Sequence, residues 1–333
     1  MKTKRPPVKA PRPRKKIDRA RPAAVVSTIL VPVDFSIPSE KALHYACTLA
    51  KAFGARLQLL HVNEAVVEAP ALASAFPVAQ AKQLRRLADF AADLSLPSRG
   101  LRCHIRNGRA FNEICEAARE LSADLIICGT HGYRGMARLF LGSTAERIVQ
   151  HSISPVLIVR EHQREFVASR RRQTTRKRRS VRLNRIVVGT DFSETSRDAL
   201  VHAVAFARRF GADLLLVNAI YPQYYATNAD YLPFDYGSLL DETRRAAEKD
   251  MDEIGKSVPF GDVSVQTRIE EGHPGETLVK IAEEEGADLI VVSTHGRTGL
   301  PHVLIGSTAQ HVVRHANCPV LVIPRAAKTK ETS

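Results

Sequence analysis

The sequence predicts an α/β protein built from two tandem domains, each a five-stranded parallel sheet with helices on both faces. Three observations carry this. First, the chain repeats itself: ILVPVDFSIPSEKALHYACTLAKAFGARLQLLHV from Ile29 aligns with IVVGTDFSETSRDALVHAVAFARRFGADLLLVNA from Ile186 at a constant offset of 157. Second, strand-like and helix-like segments alternate within each copy. Third, the strand-like runs are apolar throughout, as strands buried on both faces are.

Taken in order, the first strands are ILVPV and LNRIVVGT. A helix follows each, starting near Ser36 or Ser39 and near Ser193 or Ser196, since a serine side chain can cap a helix N-terminus. In the first copy Ala42, Leu43, Ala46, Leu49, Ala50 and Phe53 recur at helical spacing. Gly54 and Gly211 then stop the two helices from the C′ position. RLQLLHV and DLLLVNA are the second strands, with helices expected over 80–94 and 239–256. Third strands are expected at 101–106 and 263–269, where Val263, Val265, Thr267 and Ile269 alternate. A helix, a strand (ADLIICGT from Ala123, ADLIVVST from Ala287), a glycine loop, a helix (Ala145 to His151 in the first copy) and a final PVL strand complete each copy. The fourth strands align at offset 164, so the second copy has gained a net seven residues. Crossovers should be right-handed.

The boundaries follow: a basic tail at 1–26, domains at 27–160 and 184–324, a basic linker at 161–183 and a short end at 325–333. The net charge is +14. Residues 1–22 and 160–185 each carry +9, so the remainder is acidic by four charges. The basicity therefore belongs to tail and linker, which suit nonspecific contact with polyanions, and gives no basic groove on the fold. No apolar run is long enough to span a membrane, and the basic N-terminus lacks the apolar stretch of a secretory signal. Five scattered cysteines without a CxxC pair read as reduced, buried thiols of a cytoplasmic protein.

In open sheets of this kind ligands lie beyond the carboxyl ends of the strands, where strand order reverses. Two loops there have unusual composition: VPVDFS, with Asp34 ending the first strand, and GTHGYRGMARLFLGST, residues 129–144, ending the fourth. If the first and fourth strands are neighbours, these loops define one cleft. Gly129 and Gly132 allow positive φ and close approach of a ligand. Gly142, Ser143 and Thr144 open a helix whose free N–H groups and dipole favour an anion. Asp34 could accept bonds from ribose hydroxyls. The loop lacks the lysine of the G-x4-G-K-[ST] type, so positive charge would come from His131, Arg134, Arg138 or a metal ion. From spacing alone, a phosphate cradle and a tight strand-to-helix turn are equally open.

The repeat, the VPVDFSxxSxxAL opening and the spacing G-x2-G-x9-G-[ST], met by Gly129, Gly132, Gly142 and Ser143, resemble the universal stress protein family in its tandem form. The resemblance implies a Rossmann-like fold with strand order 3-2-1-4-5, ATP binding where the glycine motif is kept, and pairing of domains through their last strands. It places adenine near Val33 and Asp34. It places phosphates near Gly129, Thr130, His131 and Gly132 and near Gly142, Ser143 and Thr144. In the second copy Asp191, Gly296, Gly306, Ser307 and Thr308 match, while Ser293 stands where Gly129 stands. If position 293 needs positive φ, serine costs on the order of 1 kcal/mol. ATP, with Mg²⁺ among the sources of charge, is therefore expected chiefly in the first domain.

His131 and His295 fit loop-ordering hydrogen bonds better than a general base, and no HxxxH or HExxH spacing indicates a metal site. Residues 221–236 hold five of the seven tyrosines, which suits a lid, a partner surface or a packed loop equally. The functional expectation is a non-enzymatic ATP-binding protein of stress response or signalling, acting through conformation or an unidentified protein partner. The alternatives are a slow ATPase or nucleotidyl transferase and a scaffold without nucleotide. The last strands should pair within one chain, and homodimerisation stays open.

Overall fold

A computed structural model describes residues 26–64, 76–92, 100–130, 142–161, 163–167, 182–221, 236–296 and 305–325. The first half runs β1 (Thr28–Pro32), α1 (Ile37–Phe53), β2 (Arg56–Asn63), α2 (Phe76–Ala92), β3 (Leu101–Asn107), α3 (Ala110–Glu120), β4 (Leu125–Gly129), α4 (Ser143–His151) and β5 (Val156–Val159). The second runs β6 (Arg185–Gly189), α5 (Glu194–Phe210), β7 (Asp213–Ile220), α6 (Tyr236–Ser257), β8 (Val265–Glu271), α7 (Pro274–Glu284), β9 (Leu289–Ser293), α8 (Ser307–His315) and β10 (Val320–Ile323).

All ten strands form one sheet in the order β3-β2-β1-β4-β5-β10-β9-β6-β7-β8. Each half thus has the order 3-2-1-4-5, and strands within a half are parallel. Successive residues of β1 feed opposite layers. Ile29 and Val31 face the layer holding α1, α2, α5 and α6, while Leu30 faces the layer holding α3, α4, α7 and α8. All three are fully buried, which is why the strands carry no polar face. The covering helices change layers between β3 and β4, so the switch point lies between β1 and β4.

The halves meet through β5 and β10, which pair antiparallel with Val156 opposite Val322, Leu157 opposite Leu321 and Ile158 opposite Val320. Both layers continue across this seam. On one face Phe53 packs against Phe206 at 5.3 Å and Phe210 at 5.8 Å, and the Arg209 guanidinium donates to the carbonyl of Ala52. On the other, Glu146 of α4 accepts from Gln310 at 2.9 Å and Arg314 at 3.1 Å on α8.

The caps are Ser36 and Ser193, each accepting the backbone N–H three residues on, at 3.3 and 3.2 Å. Ser39 and Ser196 instead turn back to donate to the cap carbonyls. Gly54 and Gly211 close α1 and α5 with φ of 71°. Boundaries moved elsewhere. The strand expected at 263–269 is β8 at Val265–Glu271, because Val263 N–H bonds to the Phe260 carbonyl in a turn and β7 sets the register. The last helix of the first half begins at Ser143, two residues before Ala145.

Candidate functional site

The site is built where β1 and β4, or β6 and β9, end side by side. After β1 the chain passes Val33 and Asp34 and then turns at Phe35, which has φ of 64°; Phe192 does the same after Asp191, with φ of 66°. A left-handed phenylalanine is strained and persists only when its surroundings hold it. Here Asp34 Oδ1 accepts from Ser36 N at 3.0 Å and Ser36 Oγ at 2.5 Å. Asp191 Oδ1 accepts from Ser193 N at 3.1 Å and Ser193 Oγ at 2.6 Å. The Phe35 ring is gripped between His61 at 4.8 Å and Phe90 at 5.6 Å, with the Arg86 guanidinium 4.0 Å over its face. Each turn therefore presents an aspartate in a fixed orientation.

A polar side chain at the end of the second strand ties down the same turn. His61 Nδ1 lies 2.7 Å from the Val33 carbonyl, and Asn218 Nδ2 donates to the Thr190 carbonyl at 2.8 Å. The two correspond at the offset of 157, yet neither was singled out from sequence. The shared role of two unlike polar residues at aligned positions is the signal that could have found them.

The glycine loop starts and ends on one threonine. Thr130 N–H bonds to the Val159 carbonyl at 3.1 Å, and the Thr130 carbonyl takes the Gly142 N–H at 2.5 Å. Thr294 repeats this with Ile323 at 2.9 Å and Gly306 at 2.6 Å. Both threonines are buried. The loop ends are thereby pinned beside the N-termini of α4 and α8, where Ser143 and Ser307 are exposed. His131 and Gly132 lie outside the described residues, as do Arg134 and Arg138.

Gly129 serves packing and not the positive φ expected of it. It does not adopt positive φ, and neither does Ser293. A Cβ on Gly129 would stand 2.6 Å from Pro38 Cβ and within 2.9 Å of the Pro38 backbone, so the glycine makes room for the first turn of α1. In the second half Thr195 replaces Pro38 and Ser293 replaces Gly129. Thr195 Oγ1 donates to the His295 carbonyl at 2.7 Å and Ser293 Oγ donates to the same oxygen at 2.9 Å. Ser293 is thus one half of a packing exchange, and the backbone penalty expected to weaken the second site is absent. His295 Nδ1 lies 2.9 Å from Thr294 Oγ1, a bond that orders the loop.

In the second half these parts enclose a cavity of about 340 Å³, within the range of small-molecule sites. Asp191, Gly296, Gly306, Ser307 and Thr308 all line it. Gly296 sets the contact between the two loops, since a Cβ there would lie 2.5 Å from Asp191 Oδ2. In the first half Val33, Asp34, Gly129, Thr130, Gly142, Ser143 and Thr144 occupy the equivalent positions at the ends of β1 and β4 and the N-terminus of α4. The cavity also takes in Tyr221, the first residue of the tyrosine-rich segment, and His273 and Leu278, which sequence reasoning passed over. Among the described residues no group of three or more His, Cys, Asp or Glu is placed to hold a metal ion.

The sequence profile of the universal stress protein family matches residues 26–160 and again 182–324. The chain belongs to the universal stress protein family. As a family member with two matched segments it is similar over most of its length to a universal stress protein of Mycolicibacterium smegmatis. That protein is 28% identical over 307 residues, 89% of this chain and 96% of the relative. A single-domain relative, the universal stress protein MJ0577 of Methanocaldococcus jannaschii, is 32% identical over 159 residues, 44% of this chain and 98% of the relative. The crystal structure of a universal stress protein from Archaeoglobus fulgidus shares the fold, with a TM-score of 0.62 at 21% identity over 90% of this chain and 99% of that one.

Proposed function

We propose that this universal stress protein binds an adenine nucleotide, ATP above all, at the cleft between the first- and fourth-strand loops, and that occupancy changes its shape or its choice of partner in a stress response. The observation that carries the reading is the second-half cavity, where Asp191 faces the N-terminus of α8 at Ser307 and Thr308. The helix end offers unpaired N–H groups and the positive pole of its dipole to phosphate. The aspartate, fixed by Ser193, suits ribose hydroxyls. Asp34, Gly142, Ser143 and Thr144 form the same framework in the first half, and with the backbone argument against Ser293 removed, the proposal extends to both sites. Where Mg²⁺ accompanies the nucleotide, it adds positive charge beside the phosphates of a loop that has no lysine of the G-x4-G-K-[ST] type.

Binding rather than turnover fits the chemistry in place. His295 is engaged with Thr294, and the carboxylates of Asp34 and Asp191 hold turns. A cytoplasmic home agrees with five free cysteines, four of them buried. Among the described residues no helix is long and apolar enough to cross a membrane.

The test uses the purified full chain. Denaturation should release adenine nucleotide, and ATP with Mg²⁺ at about a hundredfold excess over Kd should stabilise the fold by about 2.7 kcal/mol. Gly306→Val should cost the second site its occupancy, because a Cβ there would already lie 3.1 Å from the Thr294 carbonyl oxygen. A protein that carries no nucleotide and shows no thermal shift with ATP would overturn the reading. Sustained hydrolysis abolished by changing Asp34 would replace it with an enzymatic one.

A further inference from the structure

The seam relates the two halves by a twofold pseudo-symmetry. At the offset of 164 the pair Val156–Val322 maps onto Val320–Ile158, with Leu157 and Leu321 at the centre. A feature at one end of the first half therefore has a counterpart at the matching end of the second. One such pair of places is filled on one side and open on the other. In the second half the chain that has left β5 lies across the amino end of the sheet as a strap. Arg164 donates from Nε to Asp288 Oδ1 at 2.9 Å and from its backbone N–H to the Asn317 carbonyl at 2.7 Å. The Phe166 carbonyl takes the Arg182 N–H at 2.8 Å, and the Phe166 ring meets Tyr45 of α1 edge to face at 4.8 Å. Phe166 and Val167 are buried.

The same place in the first half is a groove of about 490 Å³. Its walls hold the residues that the offsets match to the strap's contacts: Asp124 for Asp288, Ile153 for Asn317, and His202 of α5 for Tyr45. Asp124 does the same internal task as Asp288. Its Oδ2 accepts from the Ser27 and Thr28 N–H groups at 2.9 Å, as Asp288 Oδ2 accepts from Asn184 at 2.8 Å and Arg185 at 3.2 Å. The two aspartates differ in their cover. Asp288 is 3% exposed beneath Arg164, whereas Asp124 is exposed and its neighbour in the groove, Ile153, is 52% exposed. Among the described residues, no side chain takes the second oxygen of Asp124 as Arg164 takes that of Asp288. A carboxylate and an isoleucine are thus left open together in a groove whose twin is filled.

We propose that residues 326–331 of this same chain dock in the groove, Lys328 pairing with Asp124 as Arg164 pairs with Asp288. The sequence supplies the register: Lys328 follows Ile323, the last residue of β10, by five positions, as Arg164 follows Val159 of β5 by five. The charges are complementary. Asp124 faces the groove from the first half, and Asp198 stands one turn before His202 on α5 of the second. Against these two acids the wall sets one permanent cation, Arg119. At the position of Asp198 the first half has Lys41, which holds Glu165 of the strap at 2.8 Å. The incoming segments change sign to match. Residues 161–166 carry two Glu and one Arg, net −1, while residues 325–330 carry one Arg and two Lys, net +3. The aromatic lock is not repeated, since Lys330 stands for Phe166 and His202 for Tyr45. The clasp is therefore held by charge and backbone bonds, and is weaker and more salt-sensitive than the linker strap. It joins the halves a second time, because the groove takes Asp124 from one and His202 from the other.

The experiment follows the backbone amides of the full chain by NMR. Residues 326–331 should show the restricted fast motion of residues 163–167, and the Lys328 amide should show contacts to Ile153. Lys328→Glu should lower the hydrogen-exchange protection of the segment about twofold to fivefold, the range of a partly exposed ion pair, and should move the amides of Ser27 and Thr28. Lys328→Arg should leave both readouts unchanged. Asp124→Asn keeps an oxygen for the Ser27 and Thr28 N–H groups but drops the charge, and should release the segment as Lys328→Glu does. Salt at about 1 M, which shortens the reach of exposed charges to about 3 Å, should loosen 326–331 and leave 163–167 held. Fast motion throughout 326–331 at low salt would overturn the proposal, as would contacts to Ile153 from residues 1–25 instead. Contacts that form only as the protein is concentrated would give the groove to a second copy and overturn it too.

Discussion

The two sites share a skeleton and differ at the rim. Both keep the aspartate, the left-handed phenylalanine, the serine cap, the buried threonine and the helix that starts on a glycine. What changes comes in matched sets: Pro38 with Gly129 becomes Thr195 with Ser293, and Glu64, Arg109 and Ala110 become Tyr221, His273 and Pro274. The parts that hold the turn are constrained by short bonds among themselves, so one cannot change alone. The rim residues are constrained by their direct neighbours and by whatever enters the cleft, so they can diverge as sets.

The matched sets can be pulled apart by experiment. Gly129→Ser imports the second half's residue without its partner, driving a Cβ into the Pro38 backbone. It should destabilise the chain by about 2 kcal/mol, at the middle of the range for overpacking. Adding Pro38→Thr should return at least half of that, a coupling that a double-mutant cycle in urea would reveal. Strict additivity would show that the two positions diverged independently. Glu64→Ala removes the acid that meets Ala110 N–H and should cost about 1 kcal/mol as a lost cap. The mirror change Tyr221→Glu should bring no gain, since Pro274 offers no donor; stabilisation by it would break the argument for a paired exchange. Ser293→Gly forfeits only the bond to the His295 carbonyl, about 1 kcal/mol or less. The smallest effect belongs to Cys128→Val, which copies Val292. Burial pushes the Cys128 thiol up to about 12, so it packs as an uncharged side chain. The exchange should shift stability by under about 1 kcal/mol, and alkylation of native protein at pH 8 should leave Cys128 unmodified.

The difference between skeleton and rim also explains what could be read in advance. Apolar runs such as ILV of β1 and the serine and glycine at the ends of α1 are local signals, and they marked the elements well. The start of β8 was missed by two residues because a turn closed by Val263 and Phe260 consumes the alternating pattern, and periodicity does not distinguish a turn from a strand. The Asp34, Gly142 and Ser143 framework was legible because it is repeated. The meaning of Gly129 was not, because its neighbour Pro38 is distant in sequence and close only once β4 and α1 pack. His273 was invisible for a related reason: that it lines the cavity is a property of the packed fold, and nothing in GHPGE announces it.

The antiparallel contact of β5 with β10 has a last consequence. Two separate copies joined edge to edge would be bound by symmetry, so every substitution would fall on both, and their association would depend on concentration. With both edges on one polypeptide, the second edge is presented at an effective concentration in the millimolar range, and the pair closes however dilute the protein. Covalent union also releases the halves from being identical. A histidine can replace an arginine on one side of the seam without being imposed on the other, so one continuous sheet carries two unlike cleft rims.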